Sequence, residues 1–509
     1  MIPPQKSKVI RNSSVVHDNA REVRYINYHD SCARKNVDTM LGLGEVFQKI
    51  VDIEDKLRLF EATIDGVRFW EYVRAPLIQS IHEYTLRQRG HFGKGPTLFK
   101  RMKYLIFSFA KIWKNPIFSR RKDIVFISSP RRVLRKDGYW WDIYTDFLME
   151  NLNLSYTAIE HNINFEHRNP PKTRNLWYFD FQNSLIYLAE KLGLFQVSLN
   201  NDDKILLYKI RKQITQSIGL DIDVQKIAER HLGYRKIRIP YFRFVLKRIR
   251  PKVIVLLTSY GKEDLIEPAK SLHIPVIELQ HGVINRYHPG YSFPKKKHQK
   301  TTFPDLLFTF GDYWSESVEY PIDDKDVVSV GYPYLDEERI MYSKLKKKKQ
   351  ILVISQWTIG EDISKFTAEL SKVKDLGYDI IYKLHPSEYT DWQTKYPWLV
   401  GTGVKVIHDS KKSLYKLFAE SEIQIGVYST AVFEGLAFGL QTYIPDLYGA
   451  ETTEGLVKEG VAVKVASAEE LVNHLRSKKK LEKLDIERFF RSGARERILK
   501  LISEIVSKK

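Results

Sequence analysis

The chain has 509 residues, of which 43% are hydrophobic and 28% are charged. Such a chain is longer than a single hydrophobic core usually accommodates, which predicts at least two globular domains. The hydrophobic and charged fractions exclude a largely disordered chain. Its single cysteine, Cys32, excludes an internal disulfide framework and a cysteine-rich zinc site. The net charge of +20 is compatible with binding to nucleic acid, to an anionic membrane or to phosphorylated substrates, and also with lysines that are simply solvated. The location of the charge along the chain is therefore more informative than its sum.

The amino-terminal part is polar and then helical. Residues 1–40 follow no hydrophobic period and are predicted to form a flexible arm, whereas 41–120 have a helical pattern. The start lacks the apolar core of a secretory signal, and no stretch is long and apolar enough to span a bilayer. We therefore expect a cytoplasmic protein.

A basic amphipathic helix is predicted over 97–114, within a stretch from Arg87 to Lys122 that contains no acidic residue. One face of this helix is apolar and comprises Leu98, Phe99, Met102, Leu105, Ile106, Phe109, Ile112 and Trp113. The opposite face is basic and comprises Lys100, Arg101, Lys103, Lys111 and Lys114. This pattern is typical of a helix in a membrane interface, so we predict peripheral contact with an anionic inner leaflet. The alternative is an ordinary surface helix packed on a domain.

Short apolar runs alternate with helical stretches over the rest of the chain, which predicts parallel sheets covered on both faces. The predicted strands lie at 123–128, 154–160, 252–258, 275–280, 305–310 and 327–331, and then at 350–355, 378–384, 404–407, 423–427 and 441–445. A helix over 366–377 is expected to end at Gly377.

The strand pattern restarts after the lysine-rich segment 344–349. This predicts an α/β fold with two doubly wound, Rossmann-like domains over 121–342 and 350–475, the first with a helical insertion at about 181–248. Further helices are predicted over 476–509. Ligands of such sheets bind beyond the carboxyl ends of the strands, so the cleft between the domains is the expected site.

The segment Gln280, His281 and Gly282 directly follows one of these strands. The glycine permits close approach of the backbone to a ligand, and the histidine would face the cleft. The alternative is a histidine hydrogen-bonded within a loop.

Two segments of the second domain are candidates for phosphate binding. Lys383 and His385 end a strand in YKLHPSE, where their side chains can form charge-assisted hydrogen bonds. Ser429 and Thr430 precede a helix, and hydroxyls with free amides at such a position bind anions. Glu434 lies on this helix, where it could hydrogen-bond a ribose or help to position the phosphates. The alternative for the second segment is a helix cap with packing glycines.

A polar loop at 128–146 combines cations with carboxylates. Arg131 and Arg132 lie near Asp137 and Asp142, either of which is a candidate general base for a sugar hydroxyl. The two arginines are expected to line the cleft together with Gln280 and Gly282. A solvated loop is the alternative.

Several activities and partners are disfavoured by missing motifs. The chain has no P-loop lysine, no G-x-G-x-x-G and no G-x-S-x-G in a suitable setting, which argues against ATPases, dehydrogenases and hydrolases. It has no DxD motif at a suitable strand end, so neither a metal nor another cofactor is expected. No nucleic-acid-binding motif is present, and nucleic acid is not an expected partner.

The part from about 250 to 465 resembles bacterial capsule and cell-wall polymer transferases of the GT-B fold. The resemblance rests on QHG at 280–282, FTFGDYW at 308–314, VGYPYLD at 330–336, LHP at 384–386 and YST…FEGLAFG at 428–439. Similar motifs occur in bacterial sialyltransferases, polysialyltransferases, Kdo transferases and CDP-glycerol polymerases. The resemblance implies that His385, Ser429 and Thr430 bind the donor phosphate. The acid–base motif of the sialyltransferases has no clear counterpart, and KDG at 136–138 comes nearest.

Together these observations predict a metal-independent, inverting glycosyltransferase. It would transfer a sugar from a nucleotide sugar to a growing or lipid-linked surface polysaccharide, such as a capsule or O-antigen. The first domain would bind the acceptor and the second the donor, with Lys383 among the groups that stabilise the leaving phosphate. The alternatives are a CDP-polyol phosphotransferase of a teichoic-acid-like polymer, a nucleotide-sugar epimerase, and a non-catalytic scaffold of polysaccharide assembly.

Overall fold

The structure is a computed structural model that describes residues 41–88, 97–195, 197–294, 300–477 and 484–509. The arm predicted over 1–40 lies outside these residues. Within the described ranges, no helix has the length and apolar character needed to cross a membrane.

A helical region precedes the first sheet. It contains α1 (Leu43–Lys56), α2 (Trp70–Gln88) and α3 (Leu98–Ala110). The helices α1 and α2 share an apolar core with two long helices of the predicted insertion, α6 (Asn201–Ile218) and α7 (Val224–Ile249). In this core the buried Glu54 accepts hydrogen bonds from Arg74 Nε at 2.6 Å and from Trp70 Nε1 at 3.0 Å.

The N-terminal lobe is built on a parallel sheet. Its strands are β1 (Ile124–Ser128), β4 (Tyr156–Glu160), β5 (Leu176–Tyr178), β6 (Val253–Leu257), β7 (Val276–Leu279), β8 (Leu306–Thr309) and β9 (Val327–Ser329). They lie in the order β5-β4-β1-β6-β7-β8-β9. Besides α7, the helices of this lobe are α4 (Asp146–Met149), α5 (Asp180–Lys191), α8 (Glu263–Ser271), α9 (Asp312–Ser315) and α10 (Pro333–Tyr342). A hairpin of β2 (Arg132–Leu134) and β3 (Trp140–Asp142) projects from the loop after β1.

The C-terminal lobe has a second parallel sheet. Its strands are β10 (Lys348–Ile354), β11 (Asp379–Lys383), β12 (Lys405–Ile407), β13 (Ser421–Ile425), β14 (Gln441–Pro445) and β15 (Ala462–Val465). They lie in the order β12-β11-β10-β13-β14-β15. The helices are α11 (Gly360–Ser371), α12 (Trp392–Lys395), α13 (Leu414–Glu420), α14 (Thr430–Leu436), α15 (Glu454–Lys458) and α16 (Ala468–Ser477).

The helix predicted over 366–377 was placed too late in the chain. The observed helix α11 begins at Gly360 and ends at Ser371. Gly377 instead takes a left-handed conformation, with φ of +73°, in the turn before β11. The glycine marks the turn and not the end of the helix.

The last helices return to the N-terminal lobe. They are α17 (Ile486–Phe489) and α18 (Ala494–Ser507). At the start of α18 the Ala494 amide donates to Asp336 Oδ2 of α10 at 3.1 Å, while Ile498 and Ile502 are buried. The chain therefore crosses between the lobes twice.

Both sheets are doubly wound, which confirms the predicted fold of two Rossmann-like lobes in a GT-B architecture. The chain runs outward from β1 through β4 to β5 and then starts again on the other side of β1 with β6. The second sheet repeats this course, with its reversal between β10 and β13. Ligands of doubly wound sheets bind where the strand order reverses, so the loops after these four strands are of most interest. The exact limits of the domains stay predictions.

Candidate active site between the two lobes

The carboxyl ends of the two sheets face each other. A Cβ atom placed on Gly282, after β7, would lie 3.4 Å from Thr430 Oγ1, after β13. Nearby, the rings of Trp314 and Phe433 pack with centroids 4.7 Å apart. The predicted cleft segments at 280–282 and 429–430 are therefore brought together, although about 150 residues separate them along the chain.

His281 is half-buried at this junction, between two tyrosine hydroxyls. Its Nδ1 lies 3.4 Å from the Tyr291 hydroxyl and its Nε2 lies 3.4 Å from the Tyr260 hydroxyl. The Tyr291 hydroxyl donates a hydrogen bond to the buried Glu278. Its oxygen can therefore accept a hydrogen bond from Nδ1–H of His281. This network favours the tautomer in which Nε2 carries the lone pair.

The surroundings keep the His281 ring neutral. Burial, followed by electrostatic repulsion from His288, Lys262 and Arg131, lowers the pKa of His281 to about 3. A neutral imidazole with an available Nε2 can accept a proton. The sequence prediction that His281 faces the cleft agrees with this position, while its chemical role stays a prediction.

Arg131 reaches into the space between the lobes. Its backbone amide donates to Ser129 Oγ at 3.0 Å, and its Nη1 donates to the Tyr144 hydroxyl at 3.5 Å. Tyr144 in turn donates to the backbone oxygen of His281 at 2.6 Å. The guanidinium also opposes the burial that raises the pKa of Glu434, so its charge acts on both lobes.

Glu434 is turned away from solvent. Its Oε2 accepts a hydrogen bond from the Tyr415 hydroxyl at 2.9 Å, and burial raises its pKa. These contacts fix α14 against α13. They do not favour the predicted contact with a ribose.

Asp142 stabilises its own loop. It is fully buried, with Oδ2 accepting from the Ser129 amide at 3.0 Å and the Thr145 hydroxyl at 2.6 Å. Its Oδ1 accepts from the Tyr144 amide at 2.9 Å. Burial raises the pKa of Asp142 to about 7 against the opposing charge of Arg132. This burial does not favour Asp142 as the base for an acceptor hydroxyl, and that role stays a prediction.

Asp137 occupies the tip of the β2–β3 hairpin. Its carboxylate accepts from the Tyr139 amide at 3.1 Å and from the Trp141 indole at 3.0 Å, and it pairs with Lys172 at 3.3 Å. These bonds outweigh the effect of desolvation and lower its pKa. Its contacts therefore serve the hairpin.

Arg132 and Gln280, both predicted to line the cleft, are buried supports. Arg132 Nε donates to Glu160 at 2.6 Å and its Nη1 to Asp146 at 3.1 Å. Gln280 accepts from the Phe310 amide at 2.7 Å and donates to the Gly282 oxygen at 2.8 Å. Gln280 thus sets the shape of the turn that carries His281.

Lys383 is also committed within its own lobe. The buried ammonium donates to the Asp409 carbonyl oxygen at 3.0 Å and to the Tyr389 hydroxyl. Burial lowers its pKa to about 8. The geometry does not favour the predicted phosphate contact through this side chain.

His385, Ser429 and Thr430 remain at the carboxyl edge of the second sheet. All three are half-buried. His385 Nδ1 lies 2.7 Å from Ser387 Oγ and accepts from the Ser387 amide, and Ser429 Oγ accepts from the Ala431 amide at 3.2 Å. His385 and Ser429 cap the segments that follow, and the phosphate contacts of all three residues stay predictions.

Sequence reasoning missed the loop after β10. Gln356 Oε1 accepts from the Tyr428 amide at 3.1 Å, and Thr358 bonds the Tyr428 hydroxyl. This loop lies at the point of reversal between β10 and β13. The rule that places ligands at such a point would have identified it once the strand order was known.

A separate surface cleft of about 740 Å³ lies near the two crossings between the lobes. Its lining includes Asp336, Arg339, Lys347 and Arg495 and contains none of the predicted site residues. Arg495 already pairs with Glu337. Among the described residues, no group of three or more His, Cys, Asp or Glu side chains is placed to hold a metal ion.

Comparisons with known proteins show a similarity of fold alone. No family model and no curated protein matches the sequence. Among solved structures, the UDP-GlcNAc 2-epimerase of Methanocaldococcus jannaschii is similar with a TM-score of 0.43 and 13% identity, over 75% of this chain and 99% of that chain. The enzyme of Neisseria meningitidis, bound to UDP-GlcNAc, gives 0.43 and 12%, over 76% and 100%. The wall teichoic acid polymerase TagF gives 0.39 and 13%, over 81% and 99%.

Proposed function

We propose that the protein is a glycosyltransferase that moves a sugar from a nucleotide sugar to a bacterial surface glycan. The observation that carries this proposal is the convergence of His281, Arg131 and Thr430, which come from opposite lobes and meet at the carboxyl ends of both sheets. A neutral base beside a cation and a set of hydroxyls suits the transfer of a group away from a phosphate.

The donor would bind mainly to the C-terminal lobe. Its nucleotide would lie at the reversal between β10 and β13, with the diphosphate against Ser429 and Thr430. Arg131 would approach from the other lobe and form charge-assisted hydrogen bonds with the phosphate oxygens. This positive charge would stabilise the leaving group, a role that a divalent cation fills in other transferases.

His281 is the base in this proposal, in place of Asp137 and Asp142. Its Nε2 would take the proton of the acceptor hydroxyl as that oxygen forms the bond to the anomeric carbon. The bond from that carbon to the phosphate oxygen breaks in the same step, which inverts the configuration. The anionic donor would raise the low pKa of His281 towards neutrality, because a nearby negative charge favours the imidazolium.

The first test is a thermal-shift screen of the full chain with CMP, CDP, UDP, GDP and TDP. A nucleotide at about 100 times its dissociation constant adds roughly 2.7 kcal/mol to the free energy of unfolding. We expect one nucleotide to raise the melting temperature, and Thr430→Val to reduce this rise. Thr390→Val, at an exposed position of the same lobe, is the matched control and should respond like the wild type.

The nucleotide and the product separate the remaining alternatives. CDP binding with phosphorus in the polymer would identify a polyol phosphotransferase, whereas conversion of a free nucleotide sugar without acceptor would identify an epimerase. The absence of a shift with all five nucleotides would contradict the proposal and favour a scaffold.

A further inference from the structure

The helix α3 is attached to the N-terminal lobe by its polar side chains. The buried Tyr104 donates to Asp180 Oδ1 at 2.8 Å, and the buried Ser108 lies 2.6 Å, Oγ to Oγ, from Ser184 of α5. Asn162 also donates to the Tyr104 hydroxyl at 2.8 Å. A surface helix normally buries its apolar face, so this attachment is the reverse of the usual one.

The large apolar side chains of α3 consequently face outward. Phe99 is 76% exposed, Ile106 69%, Met102 54% and Phe109 42%, and Trp113 just beyond the helix is 61% exposed. A contiguous apolar patch of this kind on a folded protein marks a site of interaction. The alternative of an ordinary helix with its apolar face packed on the domain is therefore wrong.

The neighbouring helix α5 extends this patch. The rings of Phe181 and Phe109 pack with centroids 5.2 Å apart, and Leu185, one helical turn after Phe181, is 42% exposed. At the end of the same helix, Leu192 and Leu194 are 71% and 65% exposed. We define the α3–α5 surface by these apolar residues of both helices and the basic residues of α3.

Basic side chains accompany the apolar ones. Lys100 and Lys103 are exposed on α3, and Lys114 is exposed directly after it, while Arg101 and Lys111 are half-buried. The ammonium of Lys111 lies 4.0 Å from the centre of the Phe107 ring. Because no acidic residue occurs between 87 and 122, the surface complements a negatively charged partner with an apolar interior.

The α3–α5 surface also lies at the edge of the sheet that carries the candidate active site. Tyr104 meets Asn162 and Asp180, which follow the carboxyl ends of β4 and β5. His281 follows the carboxyl end of β7 in the same parallel sheet. A planar partner bound to this surface would be near the entrance to the N-terminal lobe.

We propose that the α3–α5 surface binds the interface of an anionic phospholipid bilayer, with its aromatic and aliphatic side chains among the acyl chains and its lysines at the headgroups. The proposal rests on the proposed function, since it would bring the cleft to a lipid-linked acceptor. It extends the sequence prediction for α3 by adding α5 and by identifying which side of the helix is presented.

Cosedimentation of the full chain with vesicles tests the proposal. Vesicles of phosphatidylcholine with roughly one third phosphatidylglycerol should bind the protein, and binding should weaken in high salt and with pure phosphatidylcholine. Ile106→Asp should abolish binding. Lys100→Gln combined with Lys103→Gln should lower the partition coefficient about 25-fold, because each lysine near an anionic surface contributes about fivefold.

Phe244→Asp provides the matched control, since Phe244 is 58% exposed on α7, outside the α3–α5 surface. This variant should bind vesicles like the wild type. Equal binding by Ile106→Asp, or no binding to anionic vesicles at all, would overturn the proposal. A concentration-dependent dimer in light scattering that Ile106→Asp abolishes, without vesicle binding by the wild type, would instead identify a second copy as the occupant.

The nucleotide screen distinguishes this proposal from the proposed function. If Ile106→Asp keeps the nucleotide-induced thermal shift but loses vesicle binding, both proposals are supported. If vesicles bind and no nucleotide does, only the enzymatic proposal fails. If a nucleotide binds and anionic vesicles do not, only the membrane proposal fails.

Discussion

His281 differs from the other candidate bases in how many hydrogen bonds its side chain already makes. The carboxylate of Asp142 accepts three hydrogen bonds within its own loop, and Asp137 is held by the hairpin. Within the part of the chain that the structure describes, His281 Nε2 instead meets only a long contact of 3.4 Å to Tyr260. Its other nitrogen is oriented by Tyr291 and Glu278.

We therefore expect His281→Gln to lower kcat by about 10² to 10⁴, the range for loss of a general base. Binding of the nucleotide and the melting temperature should change little, because the variant keeps a polar side chain at a half-buried position. The measurement is product formation under saturating donor, with His408→Gln as a control outside the junction. Full activity of His281→Gln would rule out this assignment.

The residue types of the site were predictable, but their partners were not. Arg132 has the same sequence context as Arg131, yet it turns inward to Glu160, 28 residues further on, while Arg131 turns to the cleft. Likewise, nothing near Lys383 in the sequence indicates that its ammonium donates a hydrogen bond to the Asp409 carbonyl oxygen. Such roles depend on contacts that exist only after the strands have assembled.

At the scale of the elements, a buried network joins α3, α5, β4 and the β2–β3 hairpin. His167 lies at its centre, with Nδ1 2.9 Å from Glu160 and Nε2 2.7 Å from Asp180. Burial alone would lower the pKa of His167, but these two carboxylates outweigh it and raise the pKa to about 9. The imidazolium is therefore the form that the network stabilises.

This shift predicts a pH dependence of stability. Since the folded pKa of about 9 exceeds the ordinary value of 6.5, the contribution is complete below pH 6.5 and is lost as the pH rises through 9. It amounts to at most about 3 kcal/mol. Urea denaturation at pH 6.5 and pH 9 should show this loss in the wild type and a smaller one in His167→Gln. Identical pH profiles for the two proteins would disprove the prediction.

The elements themselves were mostly legible in the sequence because buried parallel strands are continuous apolar runs. Each predicted strand has a counterpart in the structure, from β1 to β14. The missed strands β2, β3 and β5 contain at most one β-branched residue each, whereas the equally short β9 and β12, which were predicted, contain two each. The four-residue β15 lies at the edge of its sheet and is successively buried, half-buried, exposed and buried, so it follows neither a continuous nor an alternating apolar pattern.

At the scale of the whole molecule, the two lobes share one apolar core. Phe433 of α14 lies against Trp314 of α9, and Tyr415 of α13 lies 5.3 Å, centroid to centroid, from Tyr334 of α10. These residues belong to a cluster that includes strands of both sheets. The first turn of α1 adds a bond across the lobes, from the Leu43 amide to Glu451 at 2.9 Å.

We expect the lobes to unfold in one calorimetric transition, because neither can expose its side of this core without cost to the other. Phe433→Ala should lower the free energy of unfolding by about 3 to 5 kcal/mol, the usual range for a buried phenylalanine. Scanning calorimetry checks both statements, with the exposed Phe244→Ala as the control. Two well-separated transitions in the wild type would contradict them.

Because the chain crosses twice between the lobes, the C-terminal lobe is a unit that could be exchanged between proteins of this fold. The chain enters the second lobe after α10 and leaves it before α17, and α10 and α18 lie side by side. The C-terminal lobe is in effect inserted into the N-terminal one, with its entry and exit close together. An exchange of this lobe between proteins of the same fold therefore needs cuts at only these two neighbouring points, and we expect it to succeed where the contacts of Phe433 with Trp314 and of Tyr415 with Tyr334 are kept.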